Sequence, residues 1–567
     1  MRLLILSLLF VSTFAWFYGR DEPDRWSVGG VWPLPQKIIY GSKNRTLTYD
    51  KIGIDLGDRK DCDVLLSMAD NYMNKWLFPY PVEMKTGGTE DFIITVTVKE
   101  ECPSGPPVHG ASEEYLLRVS LSEAVINAQT VWGALRAMES LSHLVFYDQK
   151  SQEYKIRTVE IFDKPRFPVR GIMIDTSRHF LSLNVIKRQL EIMSMNKMNV
   201  LHWHLVDSES FPYTSEKFPE LHGVGAYSPR HVYSREDIAE VIAFARLRGI
   251  RVIPEFDLPG HTSSWKGRKG FLTECFDEKG EETFLPNLVD PMNEANFDFI
   301  SVSENVNRKT FNLLVQEFLE EVTETFPDQF LHLGGDEVND FIVECWVRNK
   351  KIRKFMEEKG FGNDTILLEN YFFEKLFAIV EKLKLKRKPI FWQEVFDNNI
   401  PDPNSIIHIW KGNTHEEIYE QVKNITSKNF PVIISACWYL NYIKYGADWR
   451  DEISGTAPSN SRYYYCDPTN FNGTDAQKNL VLGGIAAIWG ELVDNTNIEA
   501  RLWPRASAAA ERLWSPAEKT QRAEDAWPRM HELRCRLVSR GYRIQPNNNP
   551  DFCPFEFDEP PATKSEL

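Results

Sequence analysis

Outside residues 3–17 the chain has no apolar run long enough to cross a bilayer, so no further membrane-spanning helix is expected. It has no long basic run, and its net charge is −15, which argues against nucleic acid as a partner. Low-complexity segments and short repeats are absent, and 42% apolar with 26% charged residues is a globular composition, not a disordered one. At 567 residues the chain exceeds one ordinary domain and suffices for two with large cores.

What is present begins with Met1-Arg2 and the apolar stretch 3–17, interrupted only by Ser7, Ser12 and Thr13. A charged start, a short apolar run and the small residues Thr13 and Ala15 read as a secretory signal over residues 1–18, with an uncleaved signal anchor as the alternative. Eight cysteines, an even number, fit an oxidising compartment. Asn44, Asn363, Asn424 and Asn472 each head an Asn-X-Thr sequon, which fits the same route. The expected location is the secretory pathway, ending in the lysosome or outside the cell. Aromatic residues reach 13%, including 16 Trp. Such rings fill large cores or stack on the apolar faces of sugars, and the count alone favours the core.

Residues 19–165 contain strand-like runs at 92–98 and 115–120 and a helix-like run at 130–145, which predicts a small α+β domain. The rigid Lys164-Pro165-Arg166-Phe167-Pro168 reads as a boundary. From Val169 short apolar strands alternate with longer amphipathic segments. Strands are expected near 170–175, 199–205, 250–256, 330–334, 389–393, 406–410, 432–436 and 484–489, with helices such as 185–197, 236–247 and 367–383 between them. The fold class is therefore α/β: a (β/α)8 barrel over 166–540, preceded by the small α+β domain and followed by a tail at 541–567 that carries one half of a disulfide.

A barrel of this kind gathers its working groups just past the C-terminal ends of its strands. In chain order those positions hold Arg178, Asp207, Asp257 with His261, Asp336-Glu337, Trp392 with Glu394, Trp410, Tyr439 with Asn441, and Trp489 with Glu491. Acids, an arginine and aromatics converging on one mouth suit a sugar. Cleaving a glycoside requires an acid for the leaving oxygen and a group that stabilises the developing positive charge, usually two carboxyls on separate segments. Asp336 and Glu337 are neighbours, poorly placed for that. They make sense if the substrate supplies the nucleophile: a 2-acetamido oxygen attacks its own anomeric carbon, one carboxylate holds the amide N–H, and the other serves as acid and then base. Gly334-Gly335 would let the backbone bend and leave room for the sugar.

The run His332-Leu333-Gly334-Gly335-Asp336-Glu337 resembles the signature of the family 20 glycoside hydrolases, the β-N-acetylhexosaminidases. So do Asp175-Thr176-Ser177-Arg178-His179, His202-Trp203-His204-Leu205-Val206-Asp207, Pro259-Gly260-His261-Thr262, Trp392-Gln393-Glu394, Trp438-Tyr439-Leu440 and Trp489-Gly490-Glu491. The resemblance runs in order over about residues 28–555 and looks closest to the animal lysosomal-type enzymes. It implies exo-acting, retaining release of terminal GlcNAc or GalNAc through an oxazolinium intermediate. Glu337 would be the acid/base, with a raised pKa, and Asp336 would hold the acetamido N–H. Tyr439 would bond the acetamido carbonyl, and Trp392, Trp410 and Trp489 would box the methyl and the ring. Arg178 and Glu491 would grip the 3- and 4-hydroxyls, with Asp207 and His261 as a supporting network. The resemblance implies glycan substrates, a homodimer, and neither cofactor nor metal. It also implies bridges Cys62–Cys102, Cys275–Cys345 and Cys535–Cys553; Cys437 and Cys466 are left over and expected to pair.

Two departures stand out. Asn441-Tyr442 lies where one vertebrate subunit type carries an arginine for anionic 6-substituents, so sulfated or sialylated substrates are not expected here. Residues 302–316 interrupt the family pattern, either as a lengthened helix or loop or as a translated in-frame intron. Two rival functions follow from other features. His202 and His204 mimic the His-X-His metal motif of amidohydrolases, and a glycan-binding pseudoenzyme would keep the pocket without the chemistry. Sequencing the transcript across codons 302–316 separates the two origins of that segment: a spliced message lacking them identifies an intron.

Overall fold

The computed structural model describes residues 27–80, 86–88, 90–283, 287–292, 314–338, 342–398, 401–441, 447–450, 463–547, 551–554 and 556. The signal segment, residues 302–313 and Tyr442 lie outside them.

The first region forms a mixed sheet of β1 (Lys37–Leu47), β2 (Ile52–Asp55), β3 (Phe92–Val98), β4 (Tyr115–Val119), β5 (Glu123–Ala128), β6 (Val145–Asp148) and β7 (Glu153–Asp163). Its order is β1-β7-β4-β5-β3-β2, with β6 also on β7. The helix Val131–Leu144, started by Thr130 accepting from Gly133 N–H, is buried along its whole length. β1 and β2 were not legible because their partly exposed residues show no apolar alternation. β7 does alternate, with Tyr154, Ile156, Val159 and Ile161 buried.

The second region is a closed parallel barrel of β8 (Val169–Asp175), β9 (Val200–Val206), β10 (Arg251–Phe256), β11 (Phe330–His332), β12 (Lys388–Trp392), β13 (Ile406–Ile409), β14 (Val432–Ile434) and β15 (Val481–Ile488). β8, β9 and β10 are buried at every residue, as expected of strands covered on both sides. Between strands, the helices begin at polar caps: Ser182 before Leu183–Met195, Ser234 before Arg235–Arg246, Asp364 before Thr365–Lys382 and Thr414 before His415–Ser427. The fourth strand ends at His332, two residues short of the sequence expectation, because Gly334 and Gly335 turn into the left-handed region at φ 65° and 98°. Residues 314–316 begin the helix Leu314–Thr325 that precedes this strand.

The sheet domain packs beneath the barrel, at the end opposite the mouth. Glu113 is the buried link: it receives Arg136 Nε at 2.8 Å and Arg170 Nη2 at 2.6 and 2.7 Å. Arg136 also donates to Met198, Arg248 and Gly249 carbonyls, which lie in the turns leading into β9 and β10. Burial opposes charge on Glu113, but Arg170 and Arg136 hold its carboxyl below the usual range. A second pair, Lys197 and Asp163, is fully buried at 2.9 Å. The C-terminal helix Ala523–Ser539 returns to the N-terminal segment, where Glu532 accepts Gly29 and Gly30 N–H. All eight cysteines pair: Cys62–Cys102, Cys275–Cys345, Cys437–Cys466 and Cys535–Cys553.

Removing the anion from this link strands two buried guanidinium groups. Glu113→Gln is expected to cost about 3–5 kcal/mol and to lower the thermal midpoint; a wild-type unfolding curve would show that the triad is not holding the two domains.

Candidate active site

At the barrel mouth β8 ends in Asp175, whose Oδ1 accepts Ser177 and Arg178 N–H at 2.9 and 3.1 Å. Its Oδ2 takes Gly490 N–H at 3.0 Å and Arg178 Nη1 at 3.1 Å, tying the first and last loops together. Arg178 then reaches Asp207 at 2.8 Å and Glu209 at 3.0 Å, and lies 5.1 Å over the Trp489 ring. Burial opposes its charge, but Asp175, Asp207, Glu209 and Glu491 raise it further above its ordinary range. Glu491 itself is exposed beyond β15.

Asp207, after β9, accepts from His261 Nδ1 on Oδ1 at 3.1 Å. His261 Nε2 faces Glu337 at 3.5 Å and Asp336 at 3.9 Å. The Asp336 side chain is only 10% exposed, against 48% for Glu337, so the adjacent acids occupy different environments. His261 and Glu337 adopt φ of 56° and 55°, uncommon for residues with a β-carbon. The glycine pair permits the turn, but the space beside it is not left for a sugar. A β-carbon on Gly334 would lie 1.7 Å from Asp257 Oδ1, and one on Gly335 2.5 Å from Val395. Asp257 Oδ1 accepts Gly335 N–H at 2.7 Å, so this carboxyl braces the turn that carries Asp336 and Glu337 from below.

Burial, and then Asp336, push Asp257 well above the usual aspartate range. Burial also raises Asp336, with His261 opposing it. Glu337 departs from the expectation of a raised pKa. The imidazole of His261, with Nε2 3.5 Å away, holds it below the ordinary glutamate range, outweighing its partial burial. Burial works against a proton on His261, but Asp207 and Glu337 keep it charged well above the usual range.

The aromatic wall comes from β12 to β15. Trp410 and Tyr439 stack at 6.1 Å between centroids, and Trp489 lies 6.0 Å from Trp392 and 6.5 Å from Tyr439. The indole N–H groups point away: Trp392 Nε1 donates to Glu255 at 2.7 Å and Trp410 Nε1 to Glu394 at 2.8 Å. The apolar faces are thereby left for the pocket. Burial, then Asp336, lifts Glu394 to about 7. Asp336 Oδ1 and Asn441 Oδ1 are buried without a hydrogen-bond partner.

His202, His332 and His408 have ligand nitrogens within 4.8 Å of one another, a set that could hold a metal. They engage one another and their neighbours: His332 Nε2 meets His408 Nδ1 at 3.1 Å, His408 Nε2 meets Ser435 Oγ at 2.7 Å, and His202 meets Glu255 at 2.7 Å. They lie against Trp392, with centroids at 5.9, 4.7 and 4.3 Å. The His-X-His spacing puts His202 and His204 on one face of β9, and both contact Glu255. Glu255 and Glu209 were not among the residues singled out from the sequence, and Asp175 entered only as part of a motif, without a role. The available signal was a carboxylate in the middle of the apolar β10, two strands from a buried arginine and one from paired histidines.

These features define a barrel glycosidase with a small aromatic pocket. Residues 167–517 match the glycosyl hydrolase family 20 catalytic domain, and residues 31–144 match the β-acetyl hexosaminidase-like domain. The chain is 89% identical to β-hexosaminidase A of Caenorhabditis elegans over 570 residues, covering 100% of both. It is 41% identical to the β-hexosaminidase subunit β of Mus musculus over 530 residues, 91% of each. Among solved structures, the chitobiase of Flavobacterium johnsoniae superposes with a TM-score of 0.71 at 25% identity, over 92% of this chain and 74% of that one. The chain belongs to glycosyl hydrolase family 20, and its reaction is the exo-acting glycoside hydrolysis of a β-hexosaminidase. The amidohydrolase and pseudoenzyme readings are not favoured.

Replacing His261 by Gln removes the group that depresses Glu337. A lowered carboxyl pKa means the acid form is lost as pH rises through a low value, so restoring it moves that loss upward. The alkaline limb of kcat/KM for His261→Gln is expected at higher pH than wild type, with a lower maximum; an unmoved limb would show that His261 does not set the Glu337 proton.

Proposed function

We propose that hydrolysis proceeds by substrate assistance, with Glu337 as acid/base and Asp336 as the carboxylate that holds the 2-acetamido group. The observation that carries this is the buried, unpartnered Asp336 Oδ1 next to the half-exposed Glu337 and the aromatic wall. Adjacent residues cannot straddle one anomeric carbon as the separated pair of a double displacement does. A buried acceptor without a donor is costly unless a ligand supplies one, and an acetamido N–H is such a donor.

The acetamido oxygen attacks the anomeric carbon as Glu337 gives its proton to the leaving oxygen. Asp336 accepts the N–H and stabilises the positive oxazolinium ring, while Tyr439 O–H donates to the former amide oxygen. Glu337, now a carboxylate, takes a proton from water as it opens the ring, and the anomeric configuration is retained. Trp392, Trp410 and Trp489 enclose the methyl and the sugar ring. Arg178, Glu491 and Asn441 bind hydroxyls of the non-reducing terminal sugar, supported by Asp207 and His261. Substrates are glycans ending in β-GlcNAc or β-GalNAc.

A Glu337 carboxyl held low is protonated in an acidic lumen far more than at neutral pH, which supports a lysosomal setting or an acidic extracellular one. Asn44, Asn363, Asn424 and Asn472 are exposed, which supports N-glycosylation along the secretory route. Relatives named as subunits support an assembly of more than one chain, which we take to be a dimer. No helix among the described residues is long and apolar enough to cross a membrane.

Purified protein should release aryl alcohol from both β-N-acetylglucosaminide and β-N-acetylgalactosaminide. Glu337→Gln should lose about 10²- to 10⁴-fold in kcat, and Asp336→Asn about 10²- to 10³-fold with the fold retained. A fully active Asp336→Asn would sink the substrate-assisted role, and no turnover by wild type would sink the reaction itself.

A further inference from the structure

Beneath the mouth, a line of buried groups continues inward from the acid/base. His204 has both ring nitrogens against carboxylates: Nε2 lies 2.9 Å from Asp207 Oδ2 and Nδ1 2.9 Å from Glu255 Oε2. Nε2 is hydrogen-bonded to Asp207, while Nδ1 lies against Glu255 Oε2 outside hydrogen-bond geometry; a lone pair on Nδ1 would face a carboxylate oxygen at 2.9 Å, so the two contacts together favour a proton on both nitrogens. Glu255 is itself fully buried. Its Oε1 accepts Trp392 N–H at 2.7 Å, and its Oε2 also meets His202 at 2.7 Å. His332 approaches Oε1 at 3.4 Å.

We infer that Glu255 and His204 are positioning residues that fix two parts of the site as one unit: the Asp207–His261–Glu337 arm and the Trp392 floor. The inference rests on the assignment of Glu337 as acid/base. In this arrangement charge alternates along the line Glu255, His204, Asp207, His261, Glu337, so each carboxylate is answered by a cation on the next strand end. A cationic His204 engages Asp207 Oδ2 and leaves Oδ1 to accept His261 Nδ1, which orients Nε2 toward Glu337. A neutral His204 would turn a lone pair on either Asp207 or Glu255. The same Glu255 accepts the Trp392 indole N–H, so the ring under the acetamido pocket and the orientation of His261 answer to one carboxylate.

The groups facing His204 are Glu255 on β10, Asp207 at the end of β9, Asp175 at the end of β8, and the Trp489 ring, 4.9 Å away, at the end of β15. Those facing Glu255 are His202 and His204 on β9, His332 on β11 and Trp392 on β12, with His408 on β13 behind His332. Burial works against a second proton on His204, but Glu255 and Asp207 raise it well above the ordinary histidine range.

Nitrogen-15 NMR of the histidine rings in the folded, full-length protein tests this, with Glu255→Gln as the companion variant. Both His204 nitrogens should be protonated from about pH 5 to pH 8, through the range in which an ordinary imidazole loses its second proton. In Glu255→Gln, His204 should begin to titrate in that range, kcat should fall about 10- to 100-fold, and KM for the aryl substrate should stay within about twofold of wild type. A singly protonated His204 in wild type overturns the inference, as does a Glu255→Gln enzyme with wild-type kcat and pH profile. If that variant does not fold, the wild-type spectrum decides alone. Because ring protonation is read without turnover, its outcome is separable from the fate of the proposed reaction.

Discussion

One buried carboxylate, Asp207, is shared by an arginine and two histidines. Arg178 and His204 meet one of its oxygens at 2.8 and 2.9 Å, and His261 meets the other at 3.1 Å. Burial alone would expel the charge, yet His261 and Arg178 hold Asp207 well below its ordinary range. Arg178, proposed to bind the sugar hydroxyls, and His261, which faces the proposed acid/base Glu337, are thus aimed by the same anion. Because β8, β9 and β10 deliver these groups from adjacent strand ends, the geometry depends on barrel closure rather than on any one loop.

The catalytic turn illustrates a second constraint. Gly334 and Gly335 take positive φ, and the volume their missing side chains release is filled by Asp257 and Val395. Asp257 then presses under Asp336 a carboxyl whose charge burial and Asp336 both oppose, while Glu337 is carried out toward solvent beside His261. Two neighbouring acids are separated chemically by where the turn leaves them: one buried and raised, the other half-exposed and lowered. The proposed acid/base role of a Glu337 carboxyl held low would suit work in an acidic compartment.

Much of this frame was legible in the sequence. Eight apolar strands at βα spacing indicated the barrel, and reading the residue just past each strand collected Arg178, Asp207, His261, Asp336, Glu337, Trp392, Trp410, Tyr439 and Trp489. All of these lie at the mouth. β1 escaped because its exposed residues carry no alternation, and Glu255 escaped because a lone glutamate inside an apolar strand has no partner visible in sequence: Trp392 is 137 residues away. The expectation for the Glu337 pKa had the wrong direction, since the controlling neighbour, His261, sits on another strand's loop.

The sequence by itself determined which residues stand at the strand ends, because strand periodicity and the barrel's polarity follow from local patterning of apolar and polar side chains. It also determined that Asp336 and Glu337 are adjacent, and so that they cannot act as an opposed pair. Only the tertiary structure decided their protonation and that of His204 and Asp257. A pKa depends on burial and on charges a few ångströms away, and here those charges come from segments separated by tens to hundreds of residues that barrel closure alone brings together.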